Sequence, residues 1–211
     1  PVTGDVYLHN KGLSTDGFYA IAPNGTTKWH NTDIFTLGSC FAVSSDGNVV
    51  FACGTSKTIA NANNRELGAF KAADGTELDR CYQRGDALGG DGIVNPFMYC
   101  NNAQMAVYKT DATYDYIVIW ANELLQFYTY NRSTNKFKGV NMSHPYDTWK
   151  SWGDACSIGL AVGPDNKIYL PSNTKGVIMI VDGAAAEPWN NVSWFKCDLN
   201  LSGIVFDAAG D

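Results

Sequence analysis

Residues Ser39 to Cys53 read SCFAVSSDGNVVFAC, two short apolar runs joined at Asp46-Gly47. Asp-Gly between alternating apolar runs is a strong hairpin signal, because glycine reaches positive φ without a side-chain clash. The pattern returns at 158–172, IGLAVGPDNKIYLPS, with Asp165-Asn166 at the turn. GDVYLHNKG, from Gly4 to Gly12, has the form of the second half of such a hairpin. SGIVFDAAGD, from Ser202 to Asp211, has the form of the first half. One unit is thus read as split between the two ends of the chain.

A second kind of hairpin follows each copy of the first. FYAIAPNGTTKW (Phe18 to Trp29) is an apolar strand, a Pro-Asn-Gly turn and a strand ending in Trp. GAFKAADGTELDRCY (Gly68 to Tyr82) and LQFYTYNRSTNKFKG (Leu125 to Gly139) repeat it, and GVIMIVDGAAAEPWNNVSWFKC (Gly176 to Cys197) is a longer copy. Paired hairpins give four-stranded units at about 38–82, 92–140 and 156–197. A first unit at about 4–30 lacks its opening strand, which 202–211 would supply. Four-stranded units in tandem are the sequence signature of a β-propeller. The expected fold is therefore all-β: one domain over 1–211, a propeller of about four four-stranded blades, with one blade completed by both chain ends.

The stretch Tyr19-Ala-Ile-Ala-Pro-Asn-Gly-Thr-Thr-Lys-Trp29 resembles the repeat of the pyrroloquinoline-quinone (PQQ)-like propellers, roughly Tyr-Ala-Leu-Asp-x-x-Thr-Gly-x-x-x-Trp. Ser39 to Phe51 resembles that family's opening hairpin. The terminal Trp is clear only in the first unit, and Asp79 takes its place in the second. The resemblance implies a fold more than a function. A PQQ-dependent enzyme would bring a Ca²⁺ site facing its cofactor and commonly an adjacent cysteine pair, and this chain has no Cys-Cys. No cofactor is expected.

Closure of the split unit is the informative part. Val6, Tyr7 and Leu8 read as the acceptor strand, and Ile204, Val205 and Phe206 as the strand added to them. That strand could close its own ring, or enter a neighbouring copy and build a head-to-tail filament through the same backbone hydrogen bonds. Alternatively, the sequence is a piece of a larger propeller.

Bulk composition narrows the class. The 211 residues are 45% hydrophobic and only 17% charged, with 21 glycines, which suits a turn-rich β protein with a real core. Net charge is −6 with no Lys/Arg-rich run, which argues against nucleic acid as a partner. No apolar run approaches ~18 residues, so no membrane-spanning helix is expected. The first residue is Pro1, which reads as a processed product whose signal peptide is already removed.

Five Asn-X-Ser/Thr sequons, at Asn24, Asn131, Asn141, Asn191 and Asn200, lean towards a secreted N-glycoprotein, all of them read as loop positions. Six cysteines without Cys-X-X-Cys point to disulfides. Cys40 and Cys53 are symmetric about Asp46-Gly47. A two-residue loop would make them a directly opposed, non-hydrogen-bonded pair, the favoured geometry for a cross-strand bridge. Cys81–Cys100 would staple neighbouring units, and Cys156–Cys197 would bracket the fourth.

His9, His30 and His144 share no ligand spacing. Asp86, Asp91, Asp111 and Asp115 cluster loosely, as do Asp147 and Asp154, and turn chemistry explains them better than a calcium loop. Trp149 and Trp152, in a long inter-unit loop, could stack on sugar rings or pack between blades. The reading is a non-catalytic extracellular module, structural or binding, whose partners are copies of itself or glycans. A quinoprotein-dehydrogenase fragment and a carbohydrate-binding lectin are its rivals.

Overall fold

The computed structural model describes residues 4–10, 17–32, 34–56, 65–82, 103–121, 124–143, 159–171, 176–196 and 204. They form fifteen strands in four antiparallel meanders, each following the chain. Sheet one holds β1 (Val6–Asn10), β2 (Gly17–Ile21) and β3 (Thr27–Asn31). Sheet two holds β4 (Ile34–Val43), β5 (Val49–Ser56), β6 (Arg65–Lys71) and β7 (Glu77–Tyr82). Sheet three holds β8 (Gln104–Thr110), β9 (Tyr114–Ala121), β10 (Leu124–Asn131) and β11 (Lys136–Ser143). Sheet four holds β12 (Ala161–Val162), β13 (Lys167–Pro171), β14 (Val177–Asp182) and β15 (Val192–Lys196). A short 3-10 helix, Pro188–Asn190, interrupts the last turn.

Three cores lie between sheets that are consecutive in sequence. Phe18, Ala20 and Trp29 of sheet one meet Val50, Ala52 and Phe70 of sheet two. Phe51 and Leu67 of sheet two meet Ile117, Ile119 and Phe137 of sheet three. Val118, Trp120 and Phe127 of sheet three meet Ile168, Leu170 and Val181 of sheet four. Successive strand residues point to opposite faces, so β9 sends Ile117 and Ile119 one way and Val118 and Trp120 the other. A strand covered on both faces needs an unbroken apolar run, and β9 has Ile-Val-Ile-Trp. Each such side chain contributes roughly 1.5–3 kcal/mol by leaving water.

The repeat is geometric as well as sequential. Each of the first three sheets carries a β-bulge at the same place, between Ala20 and Ile21, Ala69 and Phe70, and Thr129 and Tyr130. A bulge adds local right-handed twist. Sheet four has no register shift there and spans a longer turn.

The opening hairpin has the expected partners, Cys40 opposite Cys53 and Val43 opposite Val50. Its turn is wider than two residues. Ser44 N donates to Val49 O at 2.9 Å and Gly47 N to Ser44 O at 2.9 Å, with Gly47 at φ 75°. The Asp46 carboxylate accepts from Ser44 Oγ, Asn48 N and Asn48 Nδ2. Burial pulls its pKa up, but these bonds and the Arg132 charge hold it below the usual value.

Placements in sheet three differ from the sequence reading. β11 runs past 140 to Ser143, because Leu125 and Phe127 still have partners there. Asn141 therefore sits in a strand opposite Phe127, not in a connecting segment.

Candidate functional site

The first feature is a border strand. Among the described residues, sheet one has three strands where the others have four, and β1 lies at its border. Tyr7 turns inward, with ring centroids 6.3 Å from Phe18 and 6.0 Å from Trp29. Val6 and Leu8 are 56% and 38% exposed. Of the expected added strand, Ile204 is half-buried and outside any ladder, while Val205 and Phe206 lie outside the described residues.

The second feature is a set of seams. In seam one, between sheets one and two, the Trp29 indole lies on Gly75, where a Cβ would come within 2.7 Å of the ring. Its Nε1 donates to Ala72 O at 2.9 Å. In seam two, Asp79 holds the place Trp29 holds in sheet one, since Trp29 pairs with Ala20 and Asp79 with Ala69. The buried Asp79 carboxylate accepts from Phe137 N at 2.8 Å and Lys136 Nζ at 3.0 Å, both from sheet three. A second polar contact crosses the same seam. Asp115 Oδ1 accepts from Arg132 Nη1 at 2.7 Å, Ser45 Oγ at 2.8 Å and Thr110 Oγ1 at 3.0 Å. Ser45 belongs to sheet two and the other three to sheet three. Turn chemistry, the sequence expectation for Asp115, is therefore corrected: it lies in β9, fully buried.

The third seam carries aromatics. Tyr108 covers Gly183, where a Cβ would lie 2.7 Å from its ring. Its centroid is 5.8 Å from Phe127, edge to face. Tyr116 donates to Asp111 Oδ2 at 2.8 Å. Burial and that carboxylate push the Tyr116 phenol up to about 12. The Lys109 ammonium stands 5.1 Å above the Tyr116 ring.

The cysteines require corrections. Cys40 is a buried free thiol although it faces Cys53. Ladder pairs alternate between hydrogen-bonded and non-hydrogen-bonded. With Ser44–Val49 bonded, counting four pairs along makes Cys40–Cys53 a hydrogen-bonded pair, whose side chains stand farther apart than in the non-hydrogen-bonded pair a cross-strand bridge favours. The wide turn thus keeps the partners and flips the parity, and no bridge forms. Cys53 is disulfide-bonded elsewhere. Cys81 is also a buried free thiol, so Cys81–Cys100 does not form. Burial pushes both thiols up, with the Asp79 charge adding to Cys81. Raised thiols are poor nucleophiles and inert to oxidants. Cys156 and Cys197 lie outside the described residues.

Among the sequons, Asn24 and Asn191 are exposed, and Asn131, read as a loop position, is half-buried as the last residue of β10. Asn24 Oδ1 accepts from Thr26 N and Thr26 Oγ1. Asn131 Oδ1 accepts from Ser133 N and Thr134 N. Asn200, Trp149, Trp152, His144, Asp86, Asp91, Asp147 and Asp154 lie outside the described residues. His30 stacks on Tyr19 at 3.9 Å. Asp111 caps its turn by accepting from Thr113 N and Tyr114 N. Among the described residues, no three His, Cys, Asp or Glu side chains come together as a metal site. No helix there is long and apolar enough to cross a membrane.

No protein-family model matches the chain. No curated protein matches it. Among solved structures, it is similar to uncharacterized protein lmo1340 from Listeria monocytogenes EGD-e, at 10% identity and a TM-score of 0.46. The match covers 94% of this chain and 52% of that one, so the chain spans about half the length of its structural neighbour.

Proposed function

We propose that this chain is a small propeller-type module of PQQ-like repeats that acts by binding and assembly without catalysis. The carrying observation is that, among the described residues, the first sheet has three strands with β1 at its border and Val6 and Leu8 exposed. An unpaired strand edge is a template for another strand. Residues Ile204 to Phe206 are the apolar strand available to it, from the same molecule or from a neighbouring copy. Cores that join each sheet only to the next, and the bulge common to three sheets, support the blade reading. The setting is extracellular: Asn24 and Asn191 offer accessible glycan acceptors, and the two free thiols are buried where an oxidising medium does not reach them.

Deleting residues 202–211 tests the proposal. Closure within one chain gives a monomer with a lowered midpoint in urea. Strand donation gives subunits of unchanged stability that no longer assemble, read by light scattering. A truncated chain with both properties intact overturns both forms.

A further inference from the structure

We infer that two copies of this chain join into one ring, the outer face of sheet four in each copy seated on the outer face of sheet one in the other. The inference rests on the blade and assembly reading above and names its partner, a single further copy. It starts from register. Ala22 N, Lys71 N and Asp182 N each bond across the outer turn of their sheet, and Asn131 pairs with Lys136 at the same place. The residue before this turn base is Ile21, Phe70, Tyr130 or Val181. On the preceding strand it pairs with Val6, Val50, Asp115 or Ile168 respectively. Both members of each pair point to the side from which a preceding sheet arrives.

In sheets two, three and four the preceding sheet covers these pairs, and all six residues are fully buried. In sheet one Val6 is 56% exposed and Ile21 only half-buried. Leu8 is 38% exposed, where its counterparts Ala52, Ile117 and Leu170 are fully buried. The other end of the stack shows the converse. Phe18, Leu67 and Phe127, four residues before the turn base, are buried towards the following sheet. Ile178 holds that position in sheet four and is half-buried. Phe195, its partner on β15, is 55% exposed, whereas Cys81 at the equivalent place in sheet two is buried.

One end of the stack therefore presents a face of the kind that receives a sheet, and the other a face of the kind that is received. Were sheet four seated on sheet one of its own chain, neither would be exposed, so the complementary face comes from a second molecule. β4 lies against β8 and β8 against β12, which puts the first strands on one side and fans the sheets around it. Two copies of four sheets make eight, the upper end of the roughly 4–8 blades over which such fans usually close. Residues 202–211 follow sheet four, so in this ring they reach the seam where the partner's β1 offers its edge. Strand donation and face contact then close the same joint. The outer turns agree. Trp29 covers Gly75 in the turn of sheet two, but a Cβ at Gly25, in the turn of sheet one, would meet nothing within 4 Å. Ser193 stands opposite Ile180 as Trp29 stands opposite Ala20. A cavity of ≈ 370 Å³ opens beside both Ser193 and Ile180, where the partner's turn would lie.

Gel filtration with light scattering on the full chain tests it, and the expected mass is that of two chains. Phe195→Arg on sheet four and Leu8→Arg on sheet one are each expected to weaken the pair about tenfold or more, which is ~1.4 kcal/mol. Ser193→Arg and Val6→Arg, also at exposed positions, take their place where either fails to fold. Mixing the sheet-four variant with the sheet-one variant is expected to restore pairing. In the mixed pair both charges fall in one seam and the other seam is native, whereas each variant alone spoils both. A single-chain mass at every concentration overturns the inference, as does a pair that survives the substitutions on either sheet. Masses that keep growing with concentration mean that the ends do not close, and overturn the ring. Deleting residues 202–211 separates this inference from strand donation. A shortened chain that still pairs, and stops pairing with Phe195→Arg, keeps the faces and overturns donation. Pairing lost on deletion but kept in the arginine variants keeps donation and overturns the faces.

Discussion

Seams one and two use one backbone position for opposite chemistry. Trp29 joins sheets one and two through a buried ring, edge-on to Phe18 at 4.9 Å, and a single N–H bond to Ala72 O. Asp79 joins sheets two and three through a carboxylate, 5% exposed at its side chain, that takes one backbone N–H and one ammonium. The bulge beside the position is the same in both, although the turn before it is one residue longer in sheet two. What repeats along the chain is the geometry that aims a side chain across the seam, and the side chain itself is free to differ.

The largest effect is expected from breaking the first seam. Trp29→Ala removes the ring from Gly75 and Phe18 and leaves a cavity, at a cost of about 3–5 kcal/mol in urea denaturation. A cost below ~1 kcal/mol would mean that the ring is not what holds the seam. Asp79→Ala strips Phe137 N of its acceptor inside a core and is expected to cost about 1–3 kcal/mol. Asp79→Asn keeps an acceptor oxygen and should lose clearly less; equal losses would shift the weight to charge. Lys136→Met sharpens that division. Lys136 is 41% exposed at its side chain, and such pairs contribute about 0.2–1 kcal/mol, so this variant should fall well below Asp79→Ala.

The smallest effect is acid weakening of seam two. Asp46, whose turn borders the Ser45 contact, has a folded pKa below its unfolded 3.8. Its stabilisation is complete above that value and fades as pH falls through the lower folded one. Asp46→Asn should therefore flatten the dependence of the urea midpoint on pH below about 4. An unchanged slope would place the acid sensitivity elsewhere.

Much of this was legible from the sequence, because turn residues and apolar alternation act locally. The partners of Ser39 to Cys53 follow from symmetry about Asp46-Gly47, and the strand at Val6 to Asn10 follows from the half-hairpin at Gly4 to Gly12. The parity of Cys40 and Cys53 did not follow, because it depends on whether Ser44 bonds Val49, a choice made by the Asp46 side chain. Asn141 was misplaced because a polar border strand looks like a loop when only one of its sides is paired. The replacement of Trp by Asp at 79 was visible in the sequence. Its partners, Phe137 N and Lys136, were not, since they lie 58 and 57 residues away.

Each core joins only sheets that follow one another in the chain. During synthesis, every sheet therefore has its packing partner as soon as the next has left the ribosome, and growth proceeds as a relay from the N-terminus. The border of β1 is the exception. If residues 202–211 complete it, β1 waits through the synthesis of the other three sheets and carries an adhesive edge until that segment emerges.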